Sequence, residues 1–154
     1  ATQPLISGIM QRDSLSGFMV LSISEQWGAG KIFQRFADNQ INIEFATQVT
    51  KNLDSNSLVL CVDNKNTCSA LTLLEELKPV ISASMIYPFN SVGIVSVFPH
   101  REHALISSLV IQTLLTAHIR PIAMASSISV VSCVIEENQI SQAISHISKR
   151  FGLG

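Results

Sequence analysis

Few residues in this chain have the type and spacing to do chemistry. His100 and His103 stand three apart, close enough for two imidazoles to share a metal ion. No cysteine or third histidine lies near them in sequence, so solvated loop histidines are expected and no metal site is read there. His118 and His146 read as surface residues. Gly28-Ala29-Gly30-Lys31 has the glycine-lysine ending of a phosphate-binding loop. That loop needs glycine at position 25 and a hydroxyl at 32, where this chain has Glu25 and Ile32, so both roles fail. Glu75-Glu76 and Glu136-Glu137 are adjacent pairs, which point different ways on a helix and do not form an acid-base couple. Cys61, Cys68 and Cys133 form no C-x-x-C pair and sit in or beside apolar runs. They are expected to be reduced thiols acting as small buried hydrophobes in a cytoplasmic protein. No nucleophile with a base is recognisable, and no cofactor is called for.

The remaining candidate is a helix start at Gly28. The first helical N–H groups lack internal partners and the helix dipole favours an anion there. Glycine would let a ligand approach the backbone. The plain alternative is a strand-to-helix turn in which Glu25 is stabilised by the dipole and Asn42 is solvated. Trp27, the one tryptophan, either shields a ligand, packs at an interface or caps the core.

The elements that must position this turn follow from periodicity. Gly17–Ser24 is β-rich, and Ile32, Phe33, Phe36 and Ala37 mark one face of a helix. Ile41–Ala46 alternates as a half-buried strand, and Lys51–Asn56 is turn chemistry. Ser57–Val62 is a third strand. Asp63 or Asn64 caps a helix with Ala70, Leu71, Leu73, Leu74 and Leu77, which Pro79 stops. Val80–Tyr87 is a fourth strand. The order β-α-β-β-α-β is the ferredoxin-like split unit.

The order then recurs, with strands at Val92–Phe98, Ile119–Ala125 and Ile128–Ile135 and helices at Ala104–Ala117 and Glu136–Phe151. Ile41 matches Ile119 and Ala70 matches Ala143, at offsets of 78 and 73. The second copy lacks its fourth strand, whereas Leu5–Met10 is a surplus strand before the first. The economical arrangement inserts copy one, residues 16–88, within copy two, residues 1–15 plus 89–154. The N-terminal strand then supplies the strand missing from the second sheet, whose absence would leave an edge unpaired. The fold class is α+β, with antiparallel sheets and helices on one face.

Composition bounds the function. Of 154 residues 47% are hydrophobic and 14% charged, with a net charge of -1. Such a chain is not disordered and has no electrostatic footprint for nucleic acid or an anionic membrane. No run reaches the roughly 18 apolar residues of a spanning helix, and no signal peptide is expected at Ala1-Thr2-Gln3-Pro4. Charge this sparse predicts apolar surface buried against another chain, a dimer or larger homo-oligomer.

Two such units resemble tandem ACT domains, and in particular the C-terminal regulatory region of aspartate kinases. The resemblance rests on Ile6-Ser7-Gly8-Ile9, on Lys31-Ile32-Phe33 with Ala37–Phe45 and its Ile-Asn-Ile run, and on Gln48. Further matches are Ser126-Ser127, Ser129-Val130-Val131 and Ala143–Leu153, so it spans nearly the whole chain. It implies an amino-acid effector, lysine or threonine, held by Glu25, Gln26, Trp27, Gly28 and Ala29 with Asn42, Ile43 and Gln48, and closed by a neighbouring unit. Glu25 would take the ammonium, the Asn42-Ile43 backbone the amino and carboxyl groups, and Gln48 the side chain. Copy two departs from the pattern: Phe98–His103 contains no glycine, and Arg120-Pro121 stands where the run would have Asn. The resemblance implies no catalysis by this chain, the kinase sites belonging to a separate domain. The alternatives are an ACT module kept only for structure and dimerisation, and a small enzyme on the same scaffold.

Overall fold

The structure, a computed structural model, describes residues 5–52 and 55–153. Its elements in chain order are β1 (Ile6–Ile23), α1 (Gly28–Asp38), β2 (Phe45–Asn52), β3 (Ser55–Asp63), α2 (Thr67–Leu77), β4 (Met85–Pro99), α3 (His103–Thr116), β5 (Ala123–Ser126), β6 (Val131–Glu136) and α4 (Ile140–Arg150). A 3-10 turn precedes each of α2 and α4. The class is α+β, with the strands hydrogen-bonded in the order β2-β3-β1-β4-β6-β5. By contacts the chain divides into two compact units, Ser14–Ser91 and a split unit of Ala1–Asp13 with Val92–Gly154.

In the 14–91 unit, β3 pairs antiparallel with β2 on one side and with Leu15–Ile23 of β1 on the other. Alternate residues on the strands face the helices. Phe18 and Val20 of β1 and Leu58, Leu60 and Val62 of β3 meet Ile32 and Phe36 of α1 and Ala70, Leu74 and Leu77 of α2 in one core. The period of two on the strands and of 3.6 on the helices brings these residues to a single seam. In the split unit, β6 pairs antiparallel with β4 and β5. Residues of β1 lie on the far side of β4, where the His100 N–H donates to the Leu5 carbonyl at 2.8 Å. Its core joins Ile6, Val95, Val97, Val131, Cys133 and Ile135 to Ile106, Val110, Leu114, Ile140, Ala143 and Ile147. Gly93 is required there: a Cβ on it would overlap Cδ1 of Ile140 and stand 2.8 Å from the Arg12 carbonyl.

Several boundaries differ from the sequence expectation. Leu5–Met10 and Gly17–Ser24 fall for the most part in one strand, and Val92–Phe98 is the second half of another. Of the expected strand Val80–Tyr87 only Met85–Tyr87 is strand, the first three residues of β4, and 80–84 is turn. Polar Gln11-Arg12-Asp13 breaks the alternation without breaking the strand, because backbone pairing does not need apolar side chains. Left-handed Ser14 and Ser91, φ 59° and 57°, fall in these polar stretches. Ile41-Asn42-Ile43 is not strand; it leads out of α1, and β2 begins at Phe45. α2 ends at Leu77 with Lys78 as its C-cap, directly before Pro79, where the sequence places the stop; one further turn follows. The Ile81 N–H still donates to Leu77 at 2.9 Å, and the chain winds on to Ser82, φ 53°, before β4 starts at Met85. Asp63 caps the 3-10 turn by accepting the Lys65 N–H at 3.0 Å, rather than capping α2 itself. Of the expected Lys51–Asn56 turn, Leu53 and Asp54 lie outside the described residues, as does Ala1–Pro4. Cys61 and Cys133 are buried, but Cys68 is exposed on α2, correcting its expected burial.

Candidate functional site

The turn from β1 into α1 is held by hydrogen bonds to the turn that follows α2. The Glu25 N–H donates to the Ile81 carbonyl at 3.2 Å, and the Ser24 Oγ to the Ser82 carbonyl at 3.1 Å. The Gly28 N–H closes the turn on the Glu25 carbonyl at 3.0 Å. Glu25 Oε2 accepts the Trp27 N–H at 3.0 Å and lies 3.3 Å from Lys31 Nζ. A carboxylate at a helix start is where the dipole favours it. Glu25 is therefore committed to Lys31 and to the cap of α1. The sequence offers no cue for this pairing, because six residues separate the two and the turn, not a helix face, joins them.

Gly28 is glycine for a packing reason. It is buried, and a Cβ there would overlap Cγ2 of Ile23 and stand 3.2 Å from Cβ of Ile81. Its bare face is turned to the core. Gln26 is exposed, Ala29 half-buried, and Trp27 67% exposed, so the indole does not cap the core. No side chain caps the α1 N-terminus beyond Glu25.

Cross-strand register separates the rest of the expected site. Gly17, Cys61 and Phe45 form one row, and Ile23, Asn56 and Thr50 form another. Five residues on β2 separate the rows, about 17 Å at the rise of an extended strand. Asn42 and Ile43 precede the first row, and Glu25–Ala29 follow the second, so the two groups lie at opposite ends of this unit. Gln48 sits midway on β2, two strands from β1 and exposed. The structure brings Glu25, Gln26, Trp27, Gly28 and Ala29 together. It does not bring Asn42, Ile43 or Gln48 to them within one chain's 14–91 unit.

Elsewhere the chemistry is sparse. Burial pushes the Cys61 thiol up to about 12 and the Cys133 thiol to about 11, which keeps both protonated and unreactive. Among the described residues no three His, Cys, Asp or Glu side chains cluster as a metal site. No helix among them is long and apolar enough to cross a membrane. Two shallow grooves run between helices: one of about 330 Å³ includes Asn39, Cys68 and Thr72, and one of about 400 Å³ lies between α3 and α4.

Neither a protein-family model nor a curated protein sequence matches the chain. Solved structures do. The aspartokinase alpha and beta subunit structure is similar with a TM-score of 0.85 at 21% identity, over 96% of this chain and 99% of that one. The ligand-free regulatory subunit of aspartate kinase from Thermus thermophilus gives 0.83 at 17%, again over 96% and 99%. E. coli aspartokinase III in complex with lysine and aspartate gives 0.69 at 14%, but the chain spans only 33% of that protein. The chain thus has the fold of aspartate kinase regulatory subunits, over nearly its whole length. What it matches end to end is a regulatory piece, and of the lysine-bound kinase it matches one third.

Proposed function

We propose that the chain is a regulatory, amino-acid-sensing module of an aspartate-kinase-like enzyme. It consists of two ACT units, the 14–91 unit inserted in the split one, and binds lysine or threonine. The observation that carries this reading is the end-to-end likeness to a regulatory subunit, joined by the lysine in the aspartokinase III complex. Catalysis belongs to a partner domain, and the buried thiols suit a reducing cytoplasm. Because Glu25–Ala29 and Asn42–Ile43 lie at opposite ends of one unit, the effector sits between two copies of it. One copy contributes its β1–α1 turn and the other its α1–β2 connection, with Gln48 beside them. A dimer is then a condition of binding. Titration calorimetry with lysine, threonine and methionine tests the reading, with sedimentation velocity at micromolar concentration. Saturable binding of one amino acid by a dimer is expected. A monomer that binds none of the three overturns it.

A second reading keeps the fold and the dimer without an effector. Glu25 is already engaged by Lys31, and Gly28 turns its open face to the core, so the turn is stable as it stands. A dimer silent to all three amino acids is the outcome this reading expects.

A further inference from the structure

The two units treat one helix–helix face differently, and the difference is one of charge. In the 14–91 unit, Arg35 of α1 and Glu76 of α2 form an ion pair at 3.0 Å. The same repeat offsets, 78 for the first helix and 73 for the second, carry these positions to Thr113 and Lys149 of the split unit. There the acid has become a lysine and its partner a neutral residue. Arg150 follows Lys149, and His146 lies one turn before it, where the other unit has Leu77 and Leu73. These three line the α3–α4 groove of about 400 Å³ with Gln112, Thr113 and Thr116. Neither α3 nor α4 carries an Asp or Glu, and none of the three basic side chains is in an ion pair among the described residues. A helix C-terminus favours cations. That alone does not account for the cluster, because Glu76 occupies the matching place before the same helix end in the other unit.

We propose that this groove binds a phosphate monoester, an anion site independent of the amino-acid reading. Arg150 offers the planar fork that matches a tetrahedral oxyanion, and Lys149 a point charge beside it. His146 and the Thr116 hydroxyl add donors from facing helices. Thr113 adds none, since its proton is committed to the Leu109 carbonyl at 2.6 Å, and one N–H of Gln112 is held by Ser108 Oγ at 2.8 Å. The second Gln112 N–H remains for the ligand. The volume is within the range of small-molecule sites and exceeds what bare phosphate fills.

The test is titration of the whole chain with glycerol 3-phosphate and with inorganic phosphate, followed by amide chemical shifts. Saturable shifts confined to α3 and α4, weakening as sodium chloride is raised, are expected. Tighter binding of the ester supports a phosphorylated metabolite, and equal binding supports free phosphate as the source of the same chemistry. Thr113→Arg with Lys149→Glu installs the other unit's ion pair and should weaken binding at least tenfold. Lys149→Ala with Arg150→Ala, at two exposed positions, should do the same with unfolding unchanged. No saturable shift with either probe, or unchanged affinity in both double variants, overturns the proposal.

Discussion

At the scale of single residues, the two units solve the same packing problem with different chemistry. Among the described residues Ser16 is the one buried polar side chain, and its Oγ lies 2.6 Å from Thr67 Oγ1. Thr67 has already given its proton to the Asn64 carbonyl at 2.7 Å, so Ser16 must be the donor. The repeat carries Ser16 to Ile94 and Thr67 to Ile140, both buried, so the split unit fills the place with two apolar side chains. Ser16→Ala should cost about 1 kcal/mol, the net worth of a buried hydroxyl bond. Thr67→Val should cost more, about 1–3 kcal/mol, because it leaves the Ser16 hydroxyl buried without an acceptor. The double variant should lose less than the two together, which urea unfolding of all four proteins checks; strict additivity would show that the pair is not coupled. The cysteines give a second prediction. Thiol reagent at pH 8 should label exposed Cys68 alone in the folded chain and all three thiols in urea. Unfolding frees Cys61 and Cys133 to ionise near 9.0, whereas the folded values are about 12 and 11. Above pH 9 the unfolded chain therefore binds fewer protons, and stability falls through the window from 9 to 11–12. Below pH 9 this contribution is fully present. A Cys61→Ala, Cys133→Ala chain should lose that alkaline decline; an unchanged decline would assign it to other groups.

At the scale of elements, three helices end in the same way. The Ile41 N–H reaches back to Phe36 at 2.9 Å and Gln40 to Ala37 at 3.0 Å; Ile119 reaches Leu114 at 2.8 Å and His118 Leu115 at 3.0 Å; Leu153 reaches Ser148 at 2.8 Å and Gly152 Lys149 at 3.2 Å. The pivots are left-handed, with φ 58° at Gln40, 60° at His118 and 70° at Gly152. This is the Schellman ending, and in α1 and α3 its apolar clasp is a core pair, Phe36 with Ile41 and Leu114 with Ile119. Only α4 has the glycine that the conformation favours. Gln40→Gly and His118→Gly should each stabilise the chain by about 1 kcal/mol, the strain relieved at a left-handed position. Gly152→Ala should destabilise it by a similar amount; urea midpoints with the slope unchanged are the check. These pivots also explain what was legible. The core residues of helices and strands followed from periodicity, because burial on one face imposes it. The start of β2 did not, because Ile41-Asn42-Ile43 alternates as a strand would, although the chain there is still leading out of α1. The site was legible only as residue types. That Glu25 is bound to Lys31, and that Gly28 faces Ile23, depends on a turn docked on Ile81 and Ser82, beyond the end of α2.

At the scale of the whole molecule, the proposed effector site depends on strand register. A single 14–91 unit holds Glu25–Ala29 and Asn42–Ile43 about 17 Å or more apart along the strands, farther than one amino acid spans. Two copies related by a twofold axis can oppose these ends, and symmetry then yields two identical sites, each with one end from each chain. Binding and association become linked: an effector that touches both copies must tighten the dimer by the factor by which the dimer tightens the effector. Point variants can separate this from a site within one chain. Gly28 is unsuitable, since any side chain there meets Ile23 and the loss would report folding. Trp27 and Asn42 are exposed and can be replaced without disturbing the core. Trp27→Ala removes the indole beside one half of each site, and Asn42→Pro removes from the other half a backbone N–H that the ligand would use. Each variant alone should lose lysine or threonine binding by about tenfold or more, roughly 1.4 kcal/mol. Mixed in equal amounts and allowed to exchange subunits, the two variants should form heterodimers in which one site has both natural halves and the other has neither. Calorimetry of the mixture should then recover wild-type affinity at about one site per heterodimer. If the effector were bound within one chain, mixing would recover nothing, and the mixture would bind no better than its components.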